Sequence, residues 1–143
     1  MPAASGRTNN SNPLGDKTMR FIMMIKANKD YEAGVPPDTK LLAAIGQYTQ
    51  EMIKAGVVLA TEGLLPSSRG ARVRLSDGKL TVIDGPFTEA KELIGGFAIV
   101  KASSKKEAIE LGSKFMMLHQ QALGGKWEGE CEIRQLSEFG PPE

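Results

Sequence analysis

TVIDGPFTEAKELIGGFAIV, residues 81–100, decides how this chain can fold. An apolar strand pattern enters Asp84-Gly85-Pro86-Phe87 and cannot continue through it. Asp bonds readily to its own nearby backbone, Gly accepts positive φ, and Pro fixes φ and removes a donor. Phe87 is a large apolar side chain within a turn, so it is expected to fold back onto the body of the protein. Glu89, Lys91 and Glu92 are then displayed by a loop with both ends held, before Gly95-Gly96 leads into a second apolar strand. Loops held on a rigid scaffold often carry function. The plain alternative is a solvated turn with an aromatic anchor.

Immediately upstream, residues 71–83 read as a hairpin about Asp77-Gly78, the two-residue signal for a type I′ turn. In that register Leu75 faces Leu80 and Val73 faces Val82, with Arg74 opposite Thr81 and Arg72 opposite Ile83 on the other side. Further back, Arg20 to Lys26 form a strand with no polar face: Phe21, Met23 and Ile25 point one way, Ile22 and Met24 the other. Asn28 to Pro37 read as a loop. Asp38 caps a helix that runs to Ala55 and stops at Gly56, with Leu41, Ile45, Tyr48 and Met52 at helical spacing. Val57 to Thr61 are a further strand.

Downstream, Gly96 to Ala102 are apolar on both faces, Phe97 and Ile99 on one and Ala98 and Val100 on the other. Ser104-Lys105-Lys106-Glu107 is a capping box that opens a helix with Ala108, Leu111, Gly112, Phe115 and Leu118 as its buried stripe. Gly124-Gly125 and Trp127 follow, then a last strand at 130–136 and a frayed end at 139–143.

Without the hairpin the order is βαββαβ, the ferredoxin-like pattern of an α+β domain. Two helices cover only one face of such a sheet. Strands 20–26 and 96–102 belong in its centre yet are apolar on both faces. Soluble monomers rarely expose so large an apolar patch. A homodimer joined through the open sheet faces is therefore expected.

At 143 residues the chain fits one domain with a real core, expected over 19–143. Residues 1–18 are rich in Ala, Ser, Gly, Asn and Pro, and read as a disordered tail or an appended extension that lacks the apolar run of a secretory signal. With 18 basic and 17 acidic side chains there is no electrostatic footprint for nucleic acid or an anionic membrane, and no apolar run approaches a membrane span. One Cys (Cys131) and one His (His119) build neither an intrachain disulfide nor a closed zinc site, which suits a reducing cytoplasm.

GLLPSSRGARVRLSDGKLTVIDGPFTEAKELIGGFAIV, residues 63–100, closely resembles the YCII-related, or DGPF-domain, family. So do the opening MRFIMMI, the SSKKEAIELGSKF helix and the closing ECEIRQL strand, so the likeness spans nearly everything after the tail. The resemblance implies a dimeric α+β barrel and no settled activity; one distant branch contains a ring-chlorine-removing lyase. Some members carry a proposed His and Asp pair with the His soon after the first strand, but residues 27–37 contain no histidine here. Many members end the second helix with His-Pro or Cys-Pro, where this chain has His119-Gln120.

The candidate acid/base pair is His119 with Asp84 to orient it, and the bland alternatives are a half-buried imidazole with one hydrogen bond and an Asp that bonds its own turn. Arg72, Phe87, Glu89, Lys91 and Arg134 are the candidate ligand-binding residues. Arginine matches carboxylate geometry, although Arg134 on a strand more often pairs with a nearby Glu89 or Glu92. Gly95-Gly96 leads into a strand and so is no phosphate cradle. The seven methionines read as core filler. No metal or cofactor is expected. Two functions follow: a small enzyme, lyase or isomerase, acting on an acidic or aromatic metabolite between the sheet and the DGPF loop, or a non-catalytic dimeric module that binds a ligand or a protein.

Overall fold

A computed structural model of the chain describes residues 18–125 and 127–138. The expected tail before Thr18 and the expected frayed end at 139–143 lie outside the described residues. The strands are β1 (Met19–Lys26), β2 (Val58–Gly63), β3 (Ala71–Ser76), β4 (Lys79–Asp84), β5 (Ile94–Ala102) and β6 (Cys131–Gln135). The helices are α1 (Lys29–Glu32), α2 (Thr39–Lys54) and α3 (Lys105–Ala122), with 3-10 turns at Ser67–Arg69 and Ala90–Glu92.

The longer helices begin where the sequence places their caps. The Asp38 carboxylate accepts from the backbone N–H groups of Lys40 (2.7 Å) and Leu41 (3.3 Å). The Ser104 hydroxyl accepts from Glu107 N–H at 3.1 Å, while the Glu107 carboxylate reaches back to Ser103 N–H at 2.8 Å. The helical turn α1 falls within the segment read as a loop. Its first-turn signal is Asn28, whose side-chain oxygen accepts from Tyr31 N–H at 2.8 Å. Four residues give too little periodicity to distinguish a turn of helix from a polar connection.

The main sheet is antiparallel, in the order β2-β5-β1-β6, and is open in the single chain. Register puts Phe21, Met23 and Ile25 on one face with Val100, Ala98 and Gly96. The helices lie over that face, where Phe21, Met23, Val100, Ala102 and Ala108 form the core. Phe21 and Val100 are only 2% and 1% exposed, and full burial of such a side chain stabilises by about 2 kcal/mol. The opposite face carries Ile22 and Met24 beside Ile99 and Phe97.

β3 and β4 pair as expected: Leu75 with Leu80, Val73 with Val82, Arg74 with Thr81, Arg72 with Ile83. Asp77 and Gly78 both have positive φ, at 51° and 75°, as a type I′ turn requires. This ribbon is a separate two-stranded sheet. Val73, Leu75, Leu80 and Val82 line one side of it and are each between 66% and 71% exposed.

Cys131 opens β6 opposite Ile25, on the helix side of the sheet. Burial pushes its thiol up from 9.0 to about 11, although a bond to the Met24 backbone opposes the shift. A thiol whose pKa rises on folding is held neutral by the fold. Its contribution to stability is complete below pH 9.0 and is lost as pH climbs toward about 11. The folded chain is therefore expected to react slowly with a thiol reagent at pH 9, and the urea-unfolded chain quickly, as read by the rate of thiol modification.

Candidate functional site

A cleft of about 550 Å³ lies between α2 and the helix-side face of the sheet. That volume falls within the range of small-molecule sites. Its origin is visible in the side chains. On the floor, β5 offers Gly96 and Ala98 opposite Ile25 and Met23 before it reaches Val100, so little bulk rises from that part of the strand. On the roof, Leu41 is buried, whereas Ile45, Tyr48, Thr49 and Met52 are half-buried and line the space. The α2 stripe that reads as a packed core face thus stands off the sheet along part of its length.

One wall comes from α3 and the chain beyond it. Leu111, Phe115 and His119 recur every fourth residue and line the cleft, followed by Trp127. His119 is 6% exposed. Its Nδ1 lies 3.0 Å from the Phe115 carbonyl oxygen. That oxygen only accepts, so Nδ1 carries the proton, and in the neutral ring Nε2 is a bare acceptor. Trp127 stacks on the imidazole at 4.4 Å between centroids, and Phe115 meets it edge-on at 4.9 Å. Tyr48 stands 6.4 Å from Phe115, so four rings run in sequence along the wall.

Tyr31 closes one end. Its hydroxyl donates to the Gly95 carbonyl at 2.9 Å. Burial raises its pKa above 10.0, and the Glu32 charge adds to that, against a bond from Leu64. Burial likewise raises Tyr48, whose hydroxyl has no hydrogen-bond partner among the described residues. Among the described residues, no three His, Cys, Asp or Glu side chains converge as a metal site.

Of the residues singled out from sequence, His119 lines the cleft, whereas Asp84, Arg72, Phe87, Glu89, Lys91 and Arg134 do not. Asp84 ends β4 opposite Ala71 at the hairpin root, so the cleft does not bring it together with His119. Arg134 is exposed, with Nη1 3.9 Å from Glu132 on its own strand, and Glu132 is also 3.3 Å from Lys26 Nζ. Its ion pair is thus with Glu132 and not with Glu89 or Glu92. Glu89 and Lys91 are exposed around the 3-10 turn at Ala90–Glu92.

The DGPF turn is built against α1 and the Ser67 turn. The Glu32 carboxylate accepts from both the hydroxyl and the backbone N–H of Ser67, and the Ser67 hydroxyl accepts from Phe87 N–H at 3.0 Å. Gly85 packs directly on the Ser67 carbonyl, and the Gly85–Pro86 bond is cis. Phe87 is half-buried, with the Arg72 guanidinium 3.9 Å over its ring. The anchoring expected of Phe87 therefore runs partly through Arg72, which turns its cation on an aromatic face within the chain. Glu32→Ala leaves Ser67 without its acceptor and is expected to cost about 1–2 kcal/mol of stability, read by urea denaturation.

An α+β chain with an antiparallel sheet, helices over one face, an outlying hairpin and a cleft between them is the class this geometry defines. The YCII-related domain matches residues 19–117, most of the chain, and the chain belongs to that family. It is also 26% identical over 106 residues to an uncharacterized protein of Rhizobium meliloti (strain 1021), covering 74% of this chain and 81% of that one.

Tyr31, Tyr48 and Trp127 escape a reading from sequence. Tyr48 is absorbed into the apolar stripe of α2, and Tyr31 lies in the unrecognised α1. Trp127 had one available signal: the only tryptophan follows the only histidine across Gly124-Gly125, a pair that lets the chain fold back.

Proposed function

We propose that this YCII-related chain binds a small aromatic metabolite in the cleft between α2 and the sheet. The supporting observation is the row of Tyr48, Phe115, His119 and Trp127 along an otherwise apolar wall. Aromatic ligands gain from offset and edge-on contacts with such rings. The lyase- or isomerase-type reading would make His119 the proton acceptor through Nε2. Its Nδ1 is held by a backbone carbonyl instead of a carboxylate, and no arginine borders the cleft, which favours binding over catalysis. The proposed site is thus bounded by α2 and α3, and the DGPF loop, which does not line it, braces α1 through Ser67 and Glu32.

The test is a thermal-shift screen of aromatic fragments on the unmodified chain and on Thr49→Phe, which places a ring in the cleft from α2. Fragments that stabilise the first and not the second support the reading. Equal shifts in both would remove the ligand from the cleft.

The chain is further proposed to work as a homodimer in a reducing cytoplasm, as a ferredoxin-like unit of a dimeric α+β barrel. The antiparallel order β2-β5-β1-β6, with the β3–β4 ribbon set aside, supports the ferredoxin-like reading. A second copy gives Ile22, Met24, Phe97 and Ile99 an apolar partner. Among the described residues, no helix is long and apolar enough to cross a membrane.

A further inference from the structure

We infer that the ligand of the α2–sheet cleft is an aromatic amine, its ring against the aromatic wall and its nitrogen toward Asp30; this rests on the cleft being a ligand site. The argument is one of polar inventory. Four charged residues border the cleft: Lys26, Asp30, Asp38 and Glu62. Lys26 is drawn to Glu132, which register places opposite Met24 on the other face of the sheet. Glu62 pairs with Phe97, so its side chain also belongs to that other face. Asp38 spends one oxygen on the first turn of α2. The Asp30 backbone carbonyl accepts from Val35 N–H at 3.0 Å, but its carboxylate has no hydrogen-bond or ion-pair partner among the described residues.

The same end of the cleft holds the histidine. Lys26 N–H donates to the Glu130 carbonyl at 3.0 Å, which fastens the Trp127–Glu130 stretch beside the junction from β1 to α1. Trp127 and His119 therefore share that end with Asp30 and Asp38. In its neutral ring His119 presents a bare Nε2, so beside the neutral amide of Asn28, whose oxygen caps α1, the charged groups left uncommitted there are anions. A carboxylate ligand would meet two negative side chains and no available cation, and charge burial without a partner is costly. An ammonium meets Asp30, and the faces of Trp127 and Tyr48 also attract cations.

Trp127 is the only tryptophan in the chain, so its fluorescence reports on this site alone. The experiment titrates the full chain at neutral pH with 2-phenylethylamine, 2-phenylethanol and 3-phenylpropionate, three probes of similar shape and different charge. The expected result is saturable quenching with the amine at least about tenfold tighter than the carboxylate, and the alcohol between them. Asp30→Asn, at an exposed position, is expected to weaken the amine about fivefold and leave the alcohol unchanged. Carboxylate binding as tight as the amine, or an amine affinity indifferent to Asp30→Asn, would overturn the amine assignment while the cleft stands. If none of the probes changes Trp127 emission or the thermal midpoint, the cleft reading falls with it.

Discussion

Gly85→Ala is expected to destabilise the chain by about 3 kcal/mol in urea denaturation, more than any other single-methyl addition to the hairpin or its root. A Cβ at that position overlaps the carbonyl oxygen of Ser67, a backbone atom with no rotamer to yield. Ser67 cannot retreat freely, because Glu32 holds its N–H at 2.9 Å and also its hydroxyl. Gly85 N–H is bonded to the Gly70 carbonyl at 3.0 Å, so the turn cannot slide away without breaking the hairpin root. Overpacking against fixed backbone belongs to the severe class of substitutions. Gly78→Ala makes the comparison, since a Cβ there meets nothing within 4 Å, and its strain comes from φ of 75° alone. A Gly85→Ala variant as stable as Gly78→Ala would show that the Ser67 turn gives way easily.

The second large effect concerns assembly. Met24→Asp is expected to convert the proposed dimer to monomer in sedimentation and light scattering, with the helical circular dichroism retained. Met24 stands beside Phe97 on the face away from the helices, so an exposed Asp there does little harm to the single chain. Trapped between two apolar faces, it is an unpaired charge, and the dissociation constant should rise at least about a hundredfold. Met23→Asp is the contrasting variant: Met23 is 7% exposed in the core and its sulfur lies against α3 at Gly112, so that change should unfold the chain. An unmodified chain that sediments as a monomer would sink the dimer proposal outright.

These two residues show what could be read in advance. The alternation in Arg20–Lys26 assigned Met23 and Met24 to opposite faces, but only the packing of Ala108 and Gly112 says which face the helices cover. Register of the hairpin was legible because a side-chain period of two and an Asp-Gly turn admit a single apolar pairing. The cleft was not. Leu41, Ile45, Tyr48 and Met52 have the same spacing whether a helix packs tightly or stands away from its sheet. The difference lies in Gly96 and Ala98, small residues more than forty positions further along. Arg72 and Phe87 were each legible as important, but as separate parts of a site; their mutual contact at 3.9 Å belongs to the hairpin root.

The β3–β4 ribbon carries a consequence for solubility. Both of its outer edges are unpaired among the described residues, and one of its faces is the apolar quartet of Val73, Leu75, Leu80 and Val82. Open edges beside exposed apolar side chains are templates for aggregation. Arg72, Arg74 and Lys79 occupy the reverse face, where like charges repel a ribbon approaching from that side. Nothing comparable guards the apolar side. A population of chains kept from their proper neighbours, by dilution or by substitution at Met24, should therefore be the one that precipitates first, and the ribbon is where intermolecular strand pairing would begin.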